Sequence, residues 1–318
     1  MKKRFLGNTG IEVSEIAFGC VEIGMPYGIG VDSTKDMLPE HAAIGLLNAA
    51  LDSGINFFDT ARMYGVSEEI IGKAFKNRRN EIIICTKCRH LRNQHGELSK
   101  KGETGKVILD SFNESLNALQ TDFIDVFMLH QVDNEILDNK EIADVFTRLK
   151  RQGKIKATGI STYTVEETKK AIDLGIWDVI QLPFNLMDQR QVSLFELAQQ
   201  KGVGLVVRSI LLKGLLSDRS KNLHPALKDV ENHIEKFEVL LDRTNLSLPE
   251  IAIKFGLSYS EVSSVLVGLD KMIYLEQTLK AANGIYLNEE ELKRANDLSY
   301  PDPVFLDLPY WDKMNWLK

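Results

Sequence analysis

Cysteine is scarce in this chain: among 318 residues there are three, Cys20, Cys85 and Cys88. So few thiols exclude a disulfide framework and suit a reducing compartment. A basic surplus is also missing, since 39 Lys and Arg stand against 45 Asp and Glu for a formal charge of −6, with a pI near 5.6. That balance leaves no electrostatic footprint for nucleic acid, and no long tract of one sign could serve as an interaction tail. No apolar run is long enough to span a bilayer. The basic opening Met1-Lys2-Lys3-Arg4 runs into Gly7-Asn8-Thr9-Gly10 instead of the apolar core of a signal peptide. The expected location is the cytoplasm and the expected partner a small molecule, with neither nucleic acid nor membrane. Repeats, linkers and low-complexity segments are absent as well. A chain that is 44% hydrophobic is then expected to bury one large core as a single domain over residues 1–318.

Short apolar runs alternate with longer amphipathic segments, the rhythm of repeated βα units. Strands are expected at Ile16–Gly19, Asn56–Asp59, Ile82–Thr86, Ile124–Leu129, Ala157–Ile160, Val179–Leu182, Gly204–Val207 and Ser264–Val267. Eight is the number that closes a (β/α)8 barrel. Helices are expected at Glu40–Asp52, Ser67–Phe75, Thr104–Leu119, Lys140–Gln152, Val165–Leu174, Val192–Gln200 and Leu248–Phe255, with an extra one at Leu227–Leu241. Gly54, Gly153, Gly175 and Gly202 follow several of them, as helix stops do. Arg4–Leu6 and Ile11–Val13, flanking Gly7-Asn8-Thr9-Gly10, read as a β-hairpin ahead of the barrel. Met25–Pro39, Cys88–Glu103 and Leu211–Pro225 read as long loops, and the tail Pro301–Lys318 is rich in proline and aromatics.

Four polar residues end or closely follow apolar runs: Asp59, Tyr64 in Asp59-Thr60-Ala61-Arg62-Met63-Tyr64-Gly65-Val66-Ser67-Glu68, Lys87 after Ile82–Cys85, and His130 after Val126–Leu129. A parallel barrel gathers such positions on one rim. A phenol with an ordinary pKa near 10 transfers protons poorly at neutral pH, and a buried cation beside it lowers that value. Lys87 can supply the cation. Its charge needs a counter-ion away from water, for which Asp59 is the candidate. His130 can hydrogen-bond a substrate carbonyl while Tyr64 gives or takes the proton. None of the four carries electrons, so a redox reaction would need a bound hydride carrier. Cys85-Thr86-Lys87-Cys88-Arg89-His90, with His95 beyond, has zinc-ligand residue types. Cys85, however, lies inside a strand, where it and Cys88 start on opposite faces, so no metal site is expected.

In order along the chain, Arg4-Phe5-Leu6-Gly7-Asn8-Thr9-Gly10, Phe18-Gly19, Gly54–Ala61, Tyr64–Glu68, Thr86-Lys87, Leu129-His130, Gly159-Ile160-Ser161, Gln181–Asn185 and Gly214-Leu215-Leu216 resemble the aldo-keto reductase family over about the first 290 residues. The resemblance implies a (β/α)8 TIM barrel with an N-terminal hairpin plug and extra C-terminal helices and tail, acting as an NAD(P)-dependent carbonyl reductase. Asp59, Tyr64, Lys87 and His130 would be its catalytic tetrad, with Tyr64 as the general acid. It further implies cofactor contacts from Gly19 and Cys20 after the first barrel strand, Ser161 and Gln181 on the nicotinamide amide, Arg208, Ser209 and Leu211 where the family often has Tyr-Ser-Pro-Leu, and Gly268, Lys271, Glu276 and Gln277 at the adenosine end. Arg208 is assigned to the nicotinamide or pyrophosphate region. Family habit favours NADP, with Lys271 pairing its 2′-phosphate, while Asp270 and Ile273 favour NAD; NADP is the expectation. The substrate would be an aldehyde, ketone or sugar-derived carbonyl. A non-catalytic nicotinamide-binding protein, resembling potassium-channel β-subunits, is the second reading; the intact tetrad weighs against it.

Overall fold

The computed structural model describes residues 1–31, 33–100, 102–240 and 246–317. The hairpin strands are β1 (Lys3–Phe5) and β2 (Glu12–Ser14), each one residue outward from its expected span, because the Leu6 amide bonded to the Ile11 carbonyl at 2.9 Å belongs to the turn. Eight parallel strands follow: β3 (Ile16–Gly19), β4 (Phe57–Asp59), β5 (Ile83–Lys87), β6 (Ile124–Leu129), β7 (Ile155–Ser161), β8 (Val179–Pro183), β9 (Gly204–Arg208) and β10 (Val262–Gly268). They pair in chain order and close where β10 meets β3. All eight expected strands are present, five of them extended at the C-terminal end by one residue.

Helices α1 (Glu40–Asp52), α2 (Ser67–Ala74), α3 (Thr104–Leu119), α4 (Lys140–Arg151), α5 (Val165–Leu174), α6 (Phe195–Gln200), α7 (Lys228–Ile234), α8 (Leu248–Leu257), α9 (Met272–Ala281), α10 (Glu289–Asp297) and α11 (Leu308–Lys313) surround the barrel. Local chemistry sets several ends. Thr164 and Glu167 form a capping box at the start of α5, and Gly175 ends that helix in the left-handed region at φ 68°. The expected helix Val192–Gln200 is α only from Phe195, its start being a 3-10 turn at Arg190–Leu194. The expected helix Leu227–Leu241 holds α7 and a 3-10 turn, Glu235–Phe237. Leu241 lies outside the described residues, as do Asp32, Lys101 and Lys318 of the expected loops and tail.

Two apolar layers follow from the two-residue period of a strand. In β6, Phe127 and Leu129 pack outward against the helices, whereas Val126 and Met128 face the barrel interior. The interior cluster also holds Ala17, Phe57, Cys85, Ala157, Val179 and Val206, and is closed from below by Leu6, Ile11 and Val13 of the hairpin. The hairpin is thus a plug. Continued to the opposite, C-terminal rim, the same parity brings Gly19, Asp59, Lys87, His130, Ser161, Gln181, Arg208 and Gly268 onto the interior face, one from each strand or the residue just beyond it.

The plug sits against the start of β9, where the Asn8 amide donates to the Gly202 carbonyl at 2.8 Å. Gly7 adopts φ +56°, and a Cβ there would lie 2.4 Å from both Gly202 O and Gly204 N, whereas Gly10 adopts φ +75° with nothing within 4 Å. Gly10→Ala is therefore expected to cost about 1 kcal/mol of backbone strain, and Gly7→Ala about 3 kcal/mol or more through strain plus displacement of the plug. Urea unfolding midpoints of the two variants check this ordering, and equal losses would contradict the docking of the plug.

Candidate active site

Lys87, at the end of β5, is fully buried, and Asp59, at the end of β4, is 1% exposed. The Lys87 ammonium donates to Asp59 Oδ1 at 2.6 Å and to the Thr60 carbonyl at 3.0 Å. Asp59 Oδ2 accepts from Gln181 Nε2 of β8 at 2.7 Å. Each carboxylate oxygen therefore has its own donor, which makes a buried charge pair tolerable. Burial works against the ammonium, but Asp59, with Tyr64 and Cys85, outweighs it and holds the Lys87 pKa above the ordinary lysine value. Lys87 is a fixed cation.

Tyr64 stands on the turn between β4 and α2, with the Lys87 ammonium 5.1 Å from its ring centroid. The ring of His130 lies edge-on to that of Tyr64 at 5.3 Å, and the ring of His90 edge-on to His130 at 5.0 Å. Burial, then the Lys87, His90 and Arg208 charges, push the His130 pKa down to about 2. The imidazole is neutral, so one nitrogen carries a proton and the other accepts; Nδ1 is buried without a partner among the described residues. For Tyr64 the outcome corrects the expectation. Lys87 pulls the phenol's pKa down, as the sequence suggested, but burial is the larger effect and, with Asp59, leaves it above the ordinary tyrosine value. Tyr64 is a phenol at neutral pH, the form that can donate a proton.

These groups open onto a cavity of about 940 Å³. Its wall includes Asp59, Tyr64 and His130, and of the expected cofactor residues Gly19, Cys20, Ser161, Gln181, Arg208, Ser209, Leu211, Gly268 and Gln277. Lys271 and Glu276 are not on it: both are exposed, with the Lys271 ammonium 5.4 Å over the Tyr274 ring. Asp270 is on the wall in their stead. Lys271 is the N-cap of α9, and the path of that loop, which no periodicity encodes, turns its side chain to solvent.

The wall also carries residues that were not singled out from the sequence: Glu22, Tyr27, Tyr163, Lys213 and Asp312. Burial, with Asp270 adding to it, pushes the Glu22 carboxyl up to about 8, and its Oε2 is buried without a partner among the described residues. Asp312 of α11 pairs with Lys213 at 2.5 Å, while the neighbouring Trp311 is fully buried. The tail is both a clasp on the barrel and part of the cavity wall. Arg208 stacks over Tyr163 at 4.3 Å and donates to the Thr162 carbonyl at 3.0 Å and to Ser209 Oγ at 3.2 Å. Cys85 and Cys88 are buried, and among the described residues no group of three or more His, Cys, Asp or Glu is placed to hold a metal ion.

The wall fits an extended dinucleotide. Its volume is at the upper end of the range of roughly 300–1,000 Å³ for small-molecule and cofactor sites. Gln181 spends its amide N–H on Asp59 and keeps its carbonyl for the cavity. Gly268 lies beside Gly19 in the strand register, and a Cβ there would fall 2.0 Å from Glu22 Oε1 and displace that carboxyl.

Comparison with known proteins agrees with this architecture. The profile described as the Aldo/keto reductase family matches residues 15–299. The chain is 29% identical to the uncharacterized oxidoreductase YqkF of Bacillus subtilis (strain 168), covering 92% of this chain and 95% of that protein. It is 27% identical to L-galactose dehydrogenase of Arabidopsis thaliana, covering 94% of each. The solved structure of aldo-keto reductase AKR11C1 from Bacillus halodurans, in its holo form, superposes with a TM-score of 0.79 at 29% identity, over 94% of this chain and 96% of that one. No helix of the described residues is long and apolar enough to cross a membrane. With a closed eight-stranded barrel, a hairpin plug and a profile match over most of its length, the chain belongs to the aldo/keto reductase family, whose members are oxidoreductases that use nicotinamide cofactors on small-molecule carbonyl compounds.

Proposed function

We propose that this protein reduces an aldehyde or ketone to the alcohol, with Tyr64 as the general acid. The observation that carries this reading is the meeting of a neutral phenol, a neutral imidazole and the Asp59 carboxylate on the wall of one cavity, with Lys87 buried behind as the partner of Asp59. When bound, a nicotinamide supplies the hydride. Ser161 and Gln181 would hold its amide, and the wall from Gly19 to Gly268 the rest of the dinucleotide. His130, uncharged, would donate a hydrogen bond to the substrate carbonyl oxygen and orient it. Tyr64 would pass its proton to that oxygen as negative charge develops there, and Lys87 would stabilise the phenolate left behind. Asp59 acts through Lys87 and is a positioning residue. A sugar-derived carbonyl suits a wall that mixes hydroxyl, amide and carboxyl groups, and L-galactose dehydrogenase among the relatives supports that substrate class.

For the cofactor, the expected NADP preference rests on a Lys271 contact with the 2′-phosphate. The Lys271 ammonium lies over the ring of the wall residue Tyr274 and is not itself on the wall, whereas Asp270 is on the wall and its carboxylate opposes an added phosphate. We therefore favour NAD. NADH is expected to bind more tightly than NADPH, and Asp270→Ser to raise NADPH affinity about tenfold while changing NADH little. Fluorescence titration of both cofactors checks this; tighter NADPH binding by the wild type would return the assignment to NADP.

Tyr64→Phe keeps the ring and removes the proton, so turnover with a panel of aldehydes, ketones and sugars should fall by about 100-fold or more while cofactor affinity persists. Lys87→Met leaves Asp59 buried and unpaired, and should cost about 3 kcal/mol of stability as well as activity. Its catalytic loss should not add to that of Tyr64→Phe, because both act on one proton transfer. A double variant with fully additive losses would separate the two roles.

The pH profile follows from the sign of the Tyr64 shift. A general acid must be protonated, so activity is lost as pH rises through its pKa, and that pKa lies above the ordinary tyrosine range. Burial keeps His130 uncharged down to about 2, so it adds no limb near neutrality. The loss set by Tyr64 should therefore come only in strong alkali, any change near pH 8 reporting the Glu22 carboxyl on the same wall instead. A loss near pH 7 in a profile of kcat would assign the proton to another group.

A further inference from the structure

Charge at the catalytic end of the cavity does not cancel. Lys87 and Asp59 neutralise each other at 2.6 Å. Tyr64 and His130 are neutral at pH 7, and so is Glu22, whose carboxyl titrates at about 8. Of the other cations on the wall, Lys213 is paired with Asp312, Arg219 donates to the Ile29 carbonyl, and Lys221 is exposed at the surface. Arg208 is different. Its guanidinium is half-buried and spends its contacts on a ring, a carbonyl and a hydroxyl, with no carboxylate partner among the described residues. Its charge is also felt at both Tyr64 and His130, the two groups that must border the reacting carbonyl. Whatever carries hydride to that carbonyl must lie close to Arg208.

The two forms of a nicotinamide differ by one charge on the ring, the reduced ring being neutral and the oxidised ring positive. We propose that Arg208 is a specificity-determining residue that makes this site select the reduced nicotinamide over the oxidised one. This rests on the cofactor assignment above. The cation repels the oxidised ring and leaves the reduced ring almost untouched. At equal concentrations of the two forms the protein is then loaded for carbonyl reduction, and the oxidised product is the form that leaves more readily. An electrostatic difference of about 1.4 kcal/mol between the two forms is enough to alter an equilibrium constant about tenfold.

The test is a pair of dissociation constants at pH 7, for NADH and NAD+, measured by calorimetry on the full chain without substrate. The wild type should bind NADH about tenfold or more tightly than NAD+. Arg208→Gln should bring the two constants together, chiefly by tightening NAD+, whereas Arg208→Lys keeps the charge and should keep most of the difference. A wild type without preference, or an Arg208→Gln variant in which both forms weaken by the same factor, overturns the inference; equal weakening would make Arg208 a grip on the part of the dinucleotide common to both forms. Failure of both forms to bind would overturn the cofactor assignment itself and this inference with it, and is thereby distinct from binding without redox preference. Thermal melts of the variants exclude misfolding, and Arg208→Met supplies a second neutral replacement should the glutamine variant not fold.

Discussion

An ammonium cut off from water has to stand beside a carboxylate, and in this barrel that requirement organises the site. Lys87 and Asp59 come from neighbouring strands, and the pair is completed by the Thr60 carbonyl and by Gln181 from across the barrel. With both oxygens of Asp59 engaged, the ammonium is held in place beneath the Tyr64 ring. The phenol, the imidazole and the cavity wall take their electrostatic character from that fixed charge. Removing either partner would leave an uncompensated charge in the buried interior.

The pair is possible because a closed sheet of parallel strands aims every second side chain inward. Below, that inward face is apolar and sealed by the hairpin plug. At the rim it changes chemistry within one layer: two glycines leave room, a serine and a glutamine offer hydrogen bonds, and Asp59, Lys87, His130 and Arg208 carry charge or protons. The lower layers hold the barrel shut, and most of the top layer faces the cavity. Function is thus confined to positions where the strands end and packing no longer requires an apolar side chain.

Electrostatics at the rim is a contest between burial and neighbouring charge. For Lys87 the neighbours win, and the group stays charged. For Tyr64 and His130 burial wins, and both stay neutral. A neutral donor of a hydrogen bond beside a neutral donor of a proton, both near a fixed cation, suits a reaction in which negative charge grows on a carbonyl oxygen. Arg208 adds a further cation on the wall, held by a ring, a carbonyl and a hydroxyl and by no carboxylate among the described residues.

Strand number, order and the inward parity of Asp59, Lys87, His130, Ser161, Gln181 and Arg208 were legible in the sequence, because apolar alternation is local and each residue ends or follows an apolar run. The hairpin and its glycine turn were legible for the same reason. Tertiary structure decided the rest. Glu22, Tyr27 and Asp312 reach the cavity, and Lys271 does not, through the paths of loops and a tail that carry no period. The protonation of Tyr64 likewise depended on how much water the folded chain excludes from it, so the sequence could supply the neighbouring cation but not the burial that outweighed it. Residue types and strand period fix which groups share a rim; only the packed loops fix which of them face the ligand and in what charge state.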